Sequence, residues 1–160
     1  MKDKKLIVLA AVLSPVAEHF KDIMEKMHDA VRANLRAFTL YDLIHVTGSF
    51  MDAGLPIKTL VNRVIILSNA YFSSLTRKHH VLVLKSLVYA KLCDETFVNN
   101  VAQHYISSPT PSDALVLLTL FIHLENRSNK LFFLLIKQVL VNFDSFEPNA
   151  VADMLCLLAE

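Results

Sequence analysis

The sequence predicts an all-α protein, specifically an α-solenoid of about four and a half antiparallel helix pairs. Three observations lead to this prediction. The chain of 160 residues is 54% apolar with only two glycines, its apolar residues recur with helical spacing, and short residue patterns recur about every 37 positions. Repeats of this length are typical of solenoids, in which each helix pair buries its neighbour. The length fits a single domain.

The composition excludes several classes of protein. High apolar content with a net charge of +1 excludes a disordered chain. Two cysteines, Cys93 and Cys156, fit neither a disulfide framework nor a zinc site, so we expect a reducing compartment. The near-neutral charge provides no overall basic field for nucleic acid or for an anionic membrane, and any such contact must be local.

The apolar blocks are too short to cross a bilayer, because a spanning helix needs roughly 20 apolar residues. Ser14 and Pro15 interrupt the block at 6–17, and Thr119 and His123 interrupt the block at 114–124. The basic start and the apolar run to Leu13 imitate a secretory signal, but Pro15 fits poorly at its cleavage site. We therefore expect neither membrane insertion nor secretion.

The first helices of the pairs are predicted at about 2–13, 39–53, 76–92, 111–125 and 148–159, and the second helices at about 15–32, 56–72, 94–106 and 128–142. Helix 15–32 has one apolar stripe, which we expect to be buried. The stripe consists of Val16, Phe20, Ile23, Met24, Met27 and Val31. The corresponding stripe of helix 94–106 consists of Phe97, Val98, Val101, Ala102 and Tyr105.

Capping residues support these boundaries. Thr39 is followed three positions later by Asp42, and Thr110 by Pro111 and Asp113, which are patterns typical of helix starts. Asp94 is a further expected N-cap. The sequence 54–56, Gly-Leu-Pro, ends one helix and opens the next.

The repeat is visible when the helices are aligned. Segments 23–27, 60–64 and 97–101 are each displaced by 37 residues, as are Phe38-Thr39 and Leu75-Thr76. The third step is shortened to 34 residues. We expect one helical-repeat domain, 1–160, with units at about 2–34, 38–73, 75–107, 110–143 and 146–160. Neither end has the polar face of a capping repeat, so we expect partners to cover it or the chain to be a fragment of a longer solenoid.

The pattern resembles the degenerate helical-pair repeats of about 37 residues, called heptatricopeptide repeats, of organellar RNA-metabolism proteins in the RAP-domain and Fas-activated serine/threonine kinase-like families. The resemblance covers Phe38 to about Phe143 and rests on the period, on the cap residues Thr39, Thr76 and Thr110, and on the second-helix core. It implies mitochondrial RNA processing or mitoribosome structure as the setting. The chain has no RAP domain of its own, so no RNA-cleaving activity is implied.

Catalytic and metal-binding patterns are absent from the sequence. The seven histidines form no His-Glu-x-x-His motif, two glycines cannot build a phosphate loop, and no serine lies in a Gly-x-Ser-x-Gly elbow. We expect no enzyme, metal site, cofactor or small-molecule substrate. His19 and His28 are expected to face solvent, and His45 and His123 to lie in the core.

Two sets of residues are candidates for binding partners. The candidate RNA contacts are Arg32, Arg36, Arg63, Arg77, Lys78, Arg127 and Lys130. A code of one base per repeat is doubtful, because the polar second-helix pairs at 25–26, 62–63 and 99–100 give way to Phe133-Leu134. The candidate protein-interface residues are Leu6, Leu9, Phe132, Phe133, Leu155 and Leu158.

The sequence thus predicts a non-catalytic scaffold subunit of a large protein or ribonucleoprotein assembly, most plausibly in the mitochondrion. Its expected partners are other protein subunits. One alternative is direct RNA binding through the basic clusters, and another is a cytosolic adaptor that binds peptides in a concave groove.

Overall fold

The computed structural model describes residues 2–106, 117–122, 130–141, 144, 152, 155 and 156. The regular elements in these residues are all helical, without a strand, which confirms the all-α class. The chain forms two compact units, Met1–Leu92 and Cys93–Glu160. Within the described ranges, no helix has both the length and the apolar character needed to cross a membrane.

Over its described residues 2–92, the first unit contains five α-helices. They are α1 (Lys2–Leu13), α2 (Lys21–Ala33), α3 (Leu40–Asp52), α4 (Lys58–Ala70) and α5 (Arg77–Ala90). Three short 3-10 helices also occur, at Ser14–His19, Leu35–Ala37 and Phe72–Ser74. The boundaries of α1, α3, α4 and α5 confirm the predicted helices to within about two residues.

The predicted helix at 15–32 is wrong in its first third. Ser14–His19 is a 3-10 helix in which Val16 leaves the helical region (φ −123°, ψ 25°), and α2 begins only after Phe20, whose φ is −127°. Pro15 provides no amide hydrogen for a continuous α-helix from α1, and β-branched Val16 adds little helical preference. Residues 16, 20 and 23 are exposed, so only the later part of the predicted stripe reaches the core.

Helix α3 lies at the centre of the first unit, where it packs against α1, α4 and α5. Leu43, Ile44 and Phe50 on α3 are buried, and removing each from water contributes about 1.5–3 kcal/mol before the entropy cost of ordering. Gly48 also faces this core, where a Cβ atom would lie 3.8 Å from Leu82 Cδ2 of α5.

The predicted cap at Thr39 is confirmed. The Asp42 amide donates to Thr39 Oγ1 at 3.3 Å, and the Thr39 amide donates to Asp42 Oδ2 at 3.2 Å, forming a capping box at the start of α3. At the start of α5 the Thr76 amide donates to His79 Nδ1 at 3.3 Å, so histidine takes the place of the usual acid.

The second unit contains α6 (Glu95–Ile106), a helical segment at 117–122 and α7 (Lys130–Val141), and α6 packs against α7. Asp94 was predicted to be the N-cap of α6, and this is confirmed. Its Oδ1 accepts a hydrogen bond from the Phe97 amide at 2.7 Å. The predicted inward face of α6 is fully buried. Much of the predicted helices 111–125 and 148–159, together with the Thr110 cap, lies outside the described residues.

Several structural features of the described helices recur at a spacing of 37 residues. Helices α2 and α4 begin at Lys21 and Lys58, and the 3-10 helices that follow them begin at Leu35 and Phe72. Helices α2, α4 and α6 bury the same four positions of the repeat. These are Met24, Met27, His28 and Val31 in α2, then Val61, Val64, Ile65 and Ser68 in α4, and Val98, Val101, Ala102 and Tyr105 in α6.

Candidate interaction surface

Large apolar side chains are exposed along the beginning of the first unit. We define the N-terminal apolar strip as the exposed side chains of Val8, Leu9, Val12, Val16, Phe20 and Ile23. Residues 8 and 12 are one turn apart on α1, and residues 20 and 23 are neighbours on the turn that opens α2. Single exposed apolar residues are common on proteins, but here six large ones fall within sixteen positions.

The second unit has its own exposed apolar residues on α7. Phe133 and Leu134 are exposed, as are Leu140 and Val141 seven positions later, which places the four on one side of the helix. Sequence reasoning named Phe133 but missed the other three. Residues 131–136 form an unbroken apolar run that cannot all face inward, but the run does not show which of its residues are exposed.

The structure distributes the predicted protein-interface residues unevenly. Leu9, Phe133 and Leu155 are exposed, and Leu6 is half-buried. Phe132 lies in the core with only 5% of its surface exposed, so the structure places it in the interior of the second unit and not at a surface. Leu158 lies outside the described residues.

The predicted RNA contacts lie on several different elements. Arg32 and Arg36 are exposed at the end of α2 and in the 3-10 helix after it, while Lys78 is exposed and Arg77 half-buried in the first turn of α5. The half-buried Arg63 lies on α4. Arg127 lies outside the described residues, and of Lys130 the structure describes only the backbone, at the start of α7.

His45 and His79 form an aromatic cluster with Tyr41. Their imidazole centroids are 5.6 Å apart, the Tyr41 ring lies 5.1 Å from His79, and the Tyr41 hydroxyl donates to the Ser74 carbonyl at 2.8 Å. These contacts join α3 to α5. Burial lowers the pKa of His79, and the nearby His45 lowers it further, so His79 is neutral at pH 7. In the part of the chain that the structure describes, no three His, Cys, Asp or Glu side chains are grouped to hold a metal ion.

Two histidine expectations are corrected. His28 was expected in solvent but is buried, with its Nε2 2.8 Å from the Pro56 carbonyl oxygen and its ring edge-on to Phe50. It faces inward because residues 24, 28 and 31 share one face of α2. His45 was expected in the core and is exposed on α3. His123 lies outside the described residues.

A cavity of about 620 Å³ lies between the 3-10 helix Ser14–His19 and the end of α3. Its lining combines the charged residues Glu18, Lys21 and Asp52 with apolar groups, including Val16 of the N-terminal apolar strip. The cavity therefore adjoins the strip and extends the same surface.

Comparison of the chain with protein-family models, with curated proteins and with solved structures finds no match.

Proposed function

We propose that this protein is a non-catalytic helical-repeat scaffold that binds other protein subunits within a large protein or ribonucleoprotein assembly. The observation that carries the proposal is the exposure of large apolar side chains on both units, in the N-terminal apolar strip and on α7. Such surfaces reduce solubility unless a partner covers them. Covering them would contribute about 25 cal/mol per Å² before the ordering costs of association.

The proposed arrangement of the helix pairs is an α-solenoid. The recurrence of the same buried positions after 37 residues supports it, and so does the packing of successive first helices, α1 on α3 and α3 on α5. In a solenoid each repeat contacts mainly its neighbours, which leaves long surfaces free for partners. The mitochondrial setting of the proposal rests on the resemblance to heptatricopeptide-like repeats.

The scaffold proposal is tested by isolating the tagged full-length chain with its native partners. Apolar interfaces persist or strengthen at high salt, whereas phosphate contacts weaken. We expect defined protein subunits to remain attached in high salt and after ribonuclease treatment. A chain that elutes alone under both conditions would contradict the scaffold function.

Direct RNA binding is the second candidate, and the exposure of Arg32, Arg36 and Lys78 favours it. Phosphate contacts make RNA affinity depend on salt. The logarithm of the binding constant would fall with the logarithm of the salt concentration, with a slope of roughly 0.7 per contact for single strands. Replacing Arg36, Arg77 and Lys78 by Gln should then reduce both the affinity for RNA and its salt dependence. Affinity for RNA that these substitutions leave unchanged would exclude this candidate.

A further inference from the structure

Helices α3 and α5 begin with equivalent capping boxes that differ in their last residue. Thr39 and Asp42 at the start of α3 correspond to Thr76 and His79 at the start of α5, 37 positions later. Each threonine amide donates to the side chain three positions on, to Asp42 Oδ2 at 3.2 Å and to His79 Nδ1 at 3.3 Å. A carboxyl group ordinarily titrates near pH 3.9 and an imidazole near pH 6.5. The box of α5 therefore contains the kind of group that titrates close to neutral pH, and the box of α3 does not.

The capping contact of His79 requires the neutral imidazole. The Thr76 amide can only donate, so Nδ1 must accept and the ring hydrogen lies on Nε2. A proton on Nδ1 would point one donor at another. It would also place a positive charge at the N-terminus of α5, where the helix dipole is itself positive. Burial and the nearby His45 both lower the pKa of His79, so they oppose the charged ring as well.

The groups around His79 offer a proton no compensation. Those that face the ring from α3 are Tyr41 and His45, at centroid distances of 5.1 and 5.6 Å. The acid at this end of α3, Asp42, accepts from the amide and the hydroxyl of Thr39 in its own box. The remaining charged or titratable groups of the first turn of α5 and of α4, which packs against α5, are Arg77, Lys78 and His80, then Lys58 and Arg63. All of these are cations or become cations as the pH falls.

We propose that the first turn of α5 is a pH-sensitive latch on α3, closed at neutral pH and opened by mild acid. The latch consists of the Thr76–His79 box and of the ring contacts of His79 with Tyr41 and His45. Opening lets the His79 ring hydrate and bind a proton, so acid shifts the population toward the open form. The Tyr41 hydroxyl donates to the Ser74 carbonyl at 2.8 Å, which holds the chain just before the box and confines the opening to the first turn. This inference does not depend on the proposed scaffold function.

Amide hydrogen exchange of the full chain, followed by NMR, tests the latch. The His80 amide donates to the Thr76 carbonyl and the Leu43 amide to the Thr39 carbonyl, both at 3.0 Å, so the two amides report on equivalent turns. Dividing each rate by the rate of an unfolded peptide at the same pH gives a protection factor. Between pH 7 and pH 5 we expect the protection of His80 to fall about fivefold relative to that of Leu43, which is the usual effect of losing a cap.

His79→Asp is the matched variant, because it gives α5 the same box that α3 has. Its carboxylate stays an acceptor over this pH range, and its negative charge suits the N-terminus of a helix. The ratio of the two protection factors should then change less than about threefold between pH 7 and pH 5. A fall of threefold or more in this variant would assign the effect to another group, such as the buried His80, and would overturn the proposal.

The unsubstituted protein can overturn the proposal by itself, whether or not His79→Asp folds. A relative fall of less than about threefold at His80 contradicts the latch in either of two ways. If both amides keep their protection, the box stays closed in acid. If both amides lose protection together, the unit unfolds as a whole and α5 has no local opening.

Discussion

Gly54 and Lys91 occupy the same backbone position one repeat apart, 37 residues from each other. Both are left-handed, with φ of 73° and 52°, and each follows the end of a first helix, α3 or α5. The Leu55 amide donates to the Phe50 carbonyl at 2.9 Å, and the Leu92 amide donates to the Leu87 carbonyl at 3.0 Å. Both helices therefore end in a Schellman motif, once with glycine and once with lysine at the left-handed position.

Replacing Lys91 by Gly should stabilise the protein. A side chain in the left-handed region costs roughly 1–2 kcal/mol, and the greater freedom of glycine in the unfolded chain offsets part of this gain. We expect the free energy of unfolding to rise by about 0.5–1 kcal/mol, measured by urea denaturation. Gly54→Ala is the control and should lower stability by about 1 kcal/mol, although its Cβ would have open space. A fall in stability for Lys91→Gly would mean that the Lys91 side chain makes a contact that outweighs its backbone strain.

At Gly48, replacing the glycine by alanine is expected to stabilise the protein, because this residue lies inside α3 with a helical backbone. A Cβ there would meet Leu82 Cδ2 at 3.8 Å, an ordinary contact distance. Glycine within a helix costs about 0.8–1.0 kcal/mol relative to alanine. Gly48→Ala should therefore raise the free energy of unfolding by about 0.5–1 kcal/mol, seen as a higher urea midpoint. Loss of stability would show that α3 and α5 approach too closely for a methyl group.

Sequence reasoning succeeded where the chemistry is local. The caps at Thr39 and Asp94 act within three residues of themselves, so their side chains alone indicate where α3 and α6 begin. It failed where burial of a side chain depends on an element that is far away in the sequence. Amphipathic spacing predicts that Phe20 and Ile23 are buried, but both are exposed, because burial also needs a neighbouring element that spacing does not identify. On α7, a largely apolar helix, spacing cannot separate buried Phe132 from exposed Phe133.

Thr47 carries a buried hydroxyl that, among the described residues, makes no hydrogen bond. Its counterparts one repeat before and after are the apolar residues Ala10 and Leu84, both fully buried. An unsatisfied hydroxyl costs about 1–3 kcal/mol, so Thr47→Val, which keeps the shape, should stabilise the protein by about 1 kcal/mol. Thr39→Val makes the same chemical change at a bonded cap and should destabilise it by about 1 kcal/mol. Thermal unfolding of both variants measures the change in stability. A change of the same sign in both would contradict the conclusion that the Thr47 hydroxyl is unsatisfied.

Because the pKa of His79 is lowered in the folded protein, the free energy of unfolding is expected to decrease as the pH falls. The unfolded chain binds a proton at this residue near pH 6.5, whereas burial first and His45 second keep the folded residue neutral to lower pH. The unfolded state therefore binds more protons as pH falls below about 6.5, and stability decreases until the pH passes the lowered pKa. Protonation would also remove Nδ1 as the acceptor of the Thr76 amide and so weaken the cap of α5.

Two variants isolate this effect. His79→Asn removes the titrating group but keeps a side-chain acceptor at the same place in the capping box, so the loss of stability between pH 7 and pH 5 should become smaller.

His45→Gln removes only the second cause, so the pKa of His79 should rise toward 6.5 without reaching it, because burial still opposes the charged imidazole. NMR titration of the His79 ring protons measures this pKa directly. A value at or above 6.5 in the unsubstituted protein would show that the imidazole is more solvated than its contacts with Tyr41, His45 and Thr76 imply.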